Sequence, residues 1–230
     1  MKKFSRRAIN NQEKVEKRLY SIKEGIFLVK QTANANFIES IEAHISLAIN
    51  PKYNDQQLRS TLILPKGTGK RKRIAVLMPL EKSTKEYQNL ADRIGFLNLI
   101  EEIEKGEIDF DILISTPEMM PKIAKLGKIL GPKGLMPSPK SGTITTNITL
   151  TLEDFRKGKI EYKVDKTGIV HLIIGNSNFQ SEDLLENLTE VFNSIKQSKP
   201  SGVKGRYLKK LHLCSTMGPS IEIDILTLKV

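Results

Sequence analysis

One cysteine, Cys214, is all that these 230 residues contain, so no internal disulfide can form and the chain suits a reducing compartment. Histidine is nearly as scarce. His44, His171 and His212 stand singly along the chain, and no metal site is expected. No apolar run approaches the length that crosses a bilayer, and no membrane partner is expected. The first thirty residues are basic but hold neither an apolar core nor a small-residue cleavage site, and Glu13 and Glu16 come early. Neither a secretory signal nor a transit peptide is expected, so the protein should work where it is made.

Nucleotide and catalytic signatures are missing as well. "GTGK" at 67–70 falls short of a phosphate-binding loop, because Leu64 stands where the first glycine is required and Arg71 follows the lysine. The glycines between Gly127 and Gly134 have the wrong spacing for a dinucleotide fingerprint, and Pro137 blocks a helix from opening there. Ser177, His171 and Asp165 can be drawn as a hydrolase triad, but no nucleophile elbow supports it. The carboxylates of "EEIEKGEIDFD" suit a solvated helix face. The sequence therefore predicts a protein that is not an enzyme and holds no cofactor.

What is plentiful is positive charge. The chain carries 37 Lys+Arg against 26 Asp+Glu, a net charge of +11. That excess fits a polyanionic partner, nucleic acid or an anionic membrane, and fits equally a soluble protein that is simply lysine-rich.

The hydrophobic pattern changes character twice. "SIKEGIFLVKQT" has helical spacing, whereas "ESIEAHISLAI" alternates strictly and predicts a strand with one buried and one wet face. "LPKGTGKRKR", residues 64–73, reads as a boundary. Beyond it come "IAVLMPL", a helical stretch, the helix "LNLIEEIEKGEI", the strand "DFDILIS" and a helix from Thr116 with Pro117 in its first turn. Strand–helix order of this kind implies parallel strands with crossover helices. The unit ends on "GPKGLMPSPKSGTIT", whose prolines and glycines exclude both helix and central strand. Alternation then returns: "KIEYKV" and "GIVHLII" predict a hairpin around "DKTG", "SEDLLENLTEVFNSIKQS" a helix with a serine cap, and "LKKLHLC" with "SIEIDI" a last strand pair. The expected fold is an α+β domain built from 1–66 and 159–230, with an inserted Rossmann-like, three-layer α/β domain at 67–158 and two crossings acting as a hinge.

Groups suited to RNA remain. Lys66, Lys70, Arg71, Lys72 and Arg73 cluster at the boundary, Lys133 and Lys140 sit on the glycine–proline loop, and Lys196, Lys199, Lys204, Arg206, Lys209 and Lys210 precede the last strands. Such side chains supply phosphate affinity, while specificity needs hydroxyls and exposed apolar surface. "CSTMGPS" offers both at a bend, although an ordinary turn explains it too. Spacing alone makes Phe37 a core aromatic.

Taken in order, "ANFIESIEAHISLAINP", "NDQQLRS", "LPKGTGK", "DFDILISTPEMM", "LGKILGPKGLMPSPKSGTIT", "YKVDKTGIVHLIIG" and "STMGPS" resemble the ribosomal protein L-one family in its bacterial and plastid form, through nearly the whole chain. The resemblance implies a monomer within the large ribosomal subunit, bound to the mobile-stalk region of 23S-type rRNA and guiding deacylated tRNA from the exit site. In bacterial relatives it implies repression through the protein's own messenger RNA. It places rRNA contacts on Phe37, Ser40, Thr216, Met217 and Gly218, and on Lys166, Gly168 and His171 of the hairpin. The loop "GPKGLMPSPKSGTIT" reads as a closure of the inserted domain, with contact to RNA or tRNA as a further role. Asn36 stands where the family usually has lysine, Ser40 where threonine is frequent, and Val164 where asparagine is common. A plastid or a bacterial cytoplasm is the implied setting; a non-ribosomal RNA-binding regulator of the same fold is the alternative.

Overall fold

The computed structural model describes residues 5–79, 90–203 and 205–228. Helices α1 (Arg6–Glu13) and α2 (Ile22–Thr32) precede strands β1 (Ser40–Leu47), β2 (Arg59–Ile63), β3 (Ile74–Leu77) and β4 (Arg93–Gly95). Helix α3 (Leu97–Glu104), strand β5 (Ile112–Ser115) and helix α4 (Ile148–Lys157) follow. Strands β6 (Lys159–Lys163) and β7 (Ile169–Asn176), helix α5 (Ser181–Gln197), and strands β8 (Leu208–Ser215) and β9 (Ile221–Ile223) complete the order. No described helix is long and apolar enough to cross a membrane. The chain packs as two compact units, one running up to Gly69 and again from Ile160, the other Lys70–Lys159.

The first unit is built on an antiparallel sheet ordered β7-β1-β8-β9. Ile41, Ala43, Ile45 and Leu47 of β1 are buried with Val29 of α2 and with Leu184, Leu188 and Val191 of α5. Full burial of a side chain such as Ile41 or Leu47 stabilises by roughly 1.5–3 kcal/mol. The other half of the alternation, Ser40, Glu42, His44 and Ser46, is half-buried on the opposite, open face. Helix α2 is started by a reciprocal capping box, in which Ser21 Oγ accepts from the Glu24 N–H and the Glu24 carboxylate accepts from the Ser21 N–H. Helix α5 departs from expectation. Ser181 is its first helical residue, and the capping position is held by Gln180 without a side-chain bond. Glu182 and Asp183 instead place negative charge in the first turn, where the helix dipole favours it.

The expected hairpin over 159–176 is also corrected. Strand β6 pairs with β2 in a separate two-stranded sheet, and its end meets β7 at the Val164–Val170 bridge and at the Asp165 N–H bond to Ile169 O. The "DKTG" turn does form, with the Gly168 N–H donating to Asp165 O. Its two arms then diverge because each finds a better neighbour, Arg59–Ile63 on one side and β1 on the other.

In the second unit β3 is central, parallel to β4 and β5. All four of its residues are buried, which explains the unbroken apolar run. One core holds Ala75, Leu77, Ile100, Ile103 and Leu113; a second holds Ile74, Val76, Ile114, Ile148 and Leu152. Helix α4, capped by Asn147 and ended by left-handed Gly158, belongs to the second core. Neither α4 nor the short strands β2 and β4 is apparent in the sequence pattern. The helix expected from Thr116 breaks into short 3₁₀ and α turns over Pro117–Leu130, where Pro121 removes a donor. The helical stretch expected after "IAVLMPL" lies outside the described residues.

The loop Gly131–Thr145 closes this unit. Leu135 and Met136 pack against the core containing Leu77, and Ser141 Oγ lies 2.8 Å from Thr143 Oγ1. The Ser138 N–H donates to Thr143 Oγ1 at 2.9 Å, and the Ser115 N–H donates to Thr143 O at 2.9 Å, tying the loop to β5. Lys133 and Lys140 remain exposed.

Candidate nucleic-acid interface

One end of the open sheet is organised by a buried carboxylate. Glu39 is 1% exposed. Its Oε1 accepts from the Ala35 N–H at 2.9 Å and its Oε2 from the Met217 N–H at 2.9 Å. Burial works to raise the Glu39 pKa, but the Met217 and Ala35 N–H bonds outweigh it and hold the group below its ordinary value. Alongside, the Ser40 N–H donates to Thr216 Oγ1 at 3.0 Å and the Thr216 N–H to Ser40 O at 3.0 Å. The segment before β1 and the bend after β8 are thereby locked together. Phe37 and Met217 project from that lock, 55% and 54% exposed.

Gly218 is required by close approach. A Cβ there would lie 2.4 Å from Ser215 Oγ, so a side chain would force either the Ser215 hydroxyl or the bend to shift. An open groove of about 890 Å³ runs beside the bend, lined by Asn11, Val15, Lys17, Arg18, His212 and Met217 among others. The Arg18 guanidinium lies 4.3 Å from the Tyr20 ring centre.

The sheet face itself carries polar rows set by register. Glu42 faces Cys214, and His44 faces His171 on one side and His212 on the other. His44 Nδ1 is 2.8 Å from His171 Nδ1, and His44 Nε2 is 3.1 Å from Cys214 Sγ. Burial, and then the neighbouring His171 and His212, push the His44 pKa down, against Glu42. Burial and Glu42 push the Cys214 thiol up to about 11. Sequence reading left these histidines scattered; one signal lay in plain view, Cys214 two residues after His212.

At the far end of β1 the Asp165 carboxylate accepts from Thr167 Oγ1 and from the Thr167 and Ile169 N–H groups, and its pKa falls to about 2. Gly168 is buried there with φ +85°, and its carbonyl accepts from the Leu47 N–H at 2.9 Å. Only glycine takes that conformation without strain.

A family model described as the Ribosomal protein L1p/L10e family matches residues 29–219. The chain belongs to the ribosomal protein L1 family. Large ribosomal subunit protein uL1c of Pyropia yezoensis is 55% identical over 228 residues, 99% of this chain and 100% of that protein. The uL1c of Rhodomonas salina is 56% identical over 225 residues, 98% and 96% of the two chains. Large ribosomal subunit protein uL1 of Prochlorococcus marinus is 53% identical over 229 residues, 100% and 98%. Membership makes the protein a ribosomal component and not an enzyme.

The residues that the ribosomal L1 resemblance singles out fall into groups. Phe37, Ser40, Thr216, Met217 and Gly218 come together at the Glu39 lock. Lys166 and Gly168 lie at the other end of β1, about 24 Å away over the seven steps from Ser40 to Leu47 at about 3.4 Å each. His171 stands between them on the open face. Phe37, a core aromatic by spacing, is on the surface, because the chain bends before β1 and the buried alternation begins only at Ile41.

The boundary cluster of basic residues meets acidic partners. Lys66 pairs with Asp183 and Glu186 at 3.3 and 3.5 Å. Arg71 pairs with Asp92 at 3.2 Å, and Arg73 with Asp109 and Asp111. Burial pushes the Lys72 pKa down. Lys66, Arg71 and Arg73 thus share their charge with carboxylates of their own units, while their side chains stay 43%, 79% and 52% exposed. Of the later group, Lys210 pairs with Glu222 at 2.9 Å, and Lys204 lies outside the described residues.

Proposed function

We propose that this chain is a structural constituent of the large ribosomal subunit that binds 23S-type rRNA at the mobile stalk through the end of the sheet organised by Glu39. The observation that carries the reading is the pair of exposed apolar side chains, Phe37 and Met217, fixed beside the Ser40 and Thr216 hydroxyls. Specific RNA recognition uses such surfaces, apolar groups for unstacked bases and hydroxyls for the ribose. Family membership and the uL1c and uL1 relatives support the ribosomal setting. The net charge of +11 supports the polyanionic partner.

In this proposal the RNA-binding α+β domain is the unit made from both ends of the chain, and Lys70–Lys159 is the inserted α/β domain. The compact units change over at 69/70 and 159/160, within three residues of the expected 66/67 and 158/159. Buried Asn187 accounts for the first shift: it accepts from the Lys66 N–H at 3.1 Å and donates to Gly67 O at 3.0 Å, holding "PKG" to the first unit. Lys166 and His171 extend the contact along the open face. Exit-site tRNA is the second RNA partner and the chain's own messenger RNA a third, on ribosomes of a plastid or a bacterium.

The test is a salt series on the purified protein with a stalk-region rRNA fragment and a scrambled duplex. The wild type should prefer the fragment by orders of magnitude, and Met217→Asp should abolish that preference while leaving the non-specific salt slope intact. Equal, weak binding of both RNAs by the wild type would defeat the proposal. Co-sedimentation with large subunits separates it from a free RNA-binding regulator.

A further inference from the structure

The open face brings Cys214 beside Glu42 and His44, from which the linear chain keeps it about 170 residues apart. Among the described residues, Glu42, His44 and Cys214 are the one group of His, Cys, Asp and Glu whose ligand atoms all lie within 4.8 Å of one another. We propose that Glu42, His44 and Cys214 form a binding site for a zinc-like divalent cation, with its fourth position open to solvent.

Geometry supports three-point ligation. His44 Nε2 is 3.1 Å from Cys214 Sγ and 3.8 Å from Glu42 Oε2. Donor atoms around a tetrahedral zinc ion sit about 3.4–3.6 Å apart, given bond lengths of about 2.0–2.3 Å. The third pair, Glu42 and Cys214, lies within 4.8 Å, so side-chain shifts of about 1 Å bring all three donors to tetrahedral spacing. Glu42 and His44 are two apart on β1 and share a face, while Cys214 is the cross-strand partner of Glu42. A rigid sheet thus supplies all three.

The hydrogen bonds behind His44 set the tautomer that ligation needs. Asp165 Oδ2 lies 3.5 Å from His171 Nε2, an acidic neighbour that favours the proton on that nitrogen. His171 Nδ1 is then an acceptor, and the 2.8 Å contact makes His44 Nδ1 the donor. His44 Nε2 is left with its lone pair directed toward Cys214 and Glu42. Histidine ligands are characteristically held in this way by a partner on the other ring nitrogen. Thiolate, imidazole and carboxylate together suit zinc or cobalt and not magnesium or calcium, which prefer oxygen alone.

The full-length protein should be titrated with Co²⁺ without oxygen. One equivalent should give a thiolate-to-cobalt charge-transfer band that one equivalent of Zn²⁺ abolishes. Cys214→Ser should remove the band, and His44→Ala and Glu42→Gln should each weaken binding. His171→Ala should retain the band and lower affinity about 10–100-fold, the usual effect of losing a residue that orients a ligand. Far-ultraviolet circular dichroism checks that each variant is folded. A wild type without the band overturns the proposal, as does a band that survives Cys214→Ser or an affinity indifferent to His44→Ala and Glu42→Gln.

Discussion

Glu39→Gln is the change that probes the interface most directly, because it alters one atom and no exposed surface. The carboxylate accepts one N–H on each oxygen, from Ala35 and from Met217. An amide keeps one acceptor and turns an NH₂ group against the other donor. One hydrogen bond to a charged group is lost, which costs about 1.5–3 kcal/mol. For a domain of this size that lowers the melting temperature by roughly 3–12 °C. A rim residue no longer pinned must also be ordered when RNA binds, at about 1–2 kcal/mol, so affinity for the stalk fragment should fall about 5–30-fold. The pH dependence follows from the direction of the pKa shift. The folded value lies below the ordinary 4.5, so the contribution is complete above that pH and disappears as pH falls through the folded value. Wild type and variant should therefore differ most near neutrality and converge in acid. Calorimetry across pH together with RNA titration checks all three effects. A variant with unchanged melting temperature and unchanged RNA affinity would refute the view that Glu39 holds the rim.

The Asp165 carboxyl should titrate near pH 2 by NMR, so its turn should persist at pH 4 and loosen only as pH falls through about 2; an ordinary titration midpoint would deny the Thr167 and Ile169 bonds. Asn187→Leu strands the Lys66 N–H and the Gly67 and Ile174 carbonyls and should cost about 3–5 kcal/mol in urea denaturation, whereas a loss under about 1 kcal/mol would show that the segment needs no such tie. Neutralising Arg71 and Arg73 together should leave the salt slope of rRNA binding unchanged, while Lys17→Gln beside Met217 should reduce it by about 1; the reverse result would return the boundary cluster to the interface.

Periodicity made some of this legible. The strict alternation of β1 and the unbroken apolar run of β3 each announced their burial, because a strand's side-chain period records which faces are covered. β4 is three residues long and too short to show any period, and β2 alternates too weakly. Pairing was harder still. Lys159–Lys163 and Ile169–Asn176 look like neighbours because a turn joins them, yet which strands they join is decided by β1 and β2, more than a hundred residues earlier. The same distance hid the site chemistry. Glu39 reads as an ordinary polar strand position until two N–H groups close on it. Charge density at 66–73 was visible, but the carboxylates of Asp92, Asp109 and Asp183 that answer it were not.

The position of β1 in the middle of its sheet has a consequence for how the chain is made. Both of its edges are satisfied by strands from the far end of the sequence, β7 on one side and β8 on the other. Cys214 and its partners emerge about 170 residues after β1, and at about 5–20 residues per second that is roughly 8–34 s of synthesis. Until β7 emerges, about 130 residues after β1, a strand with an apolar face and two unpaired edges is present on the nascent chain, and one edge stays open until β8. The intervening residues Lys70–Lys159 are complete first and carry their own cores, so they can fold while β1 waits. The first strand made is thus among the last to be paired, and newly made protein depends on the first segment staying sheltered until its partners arrive.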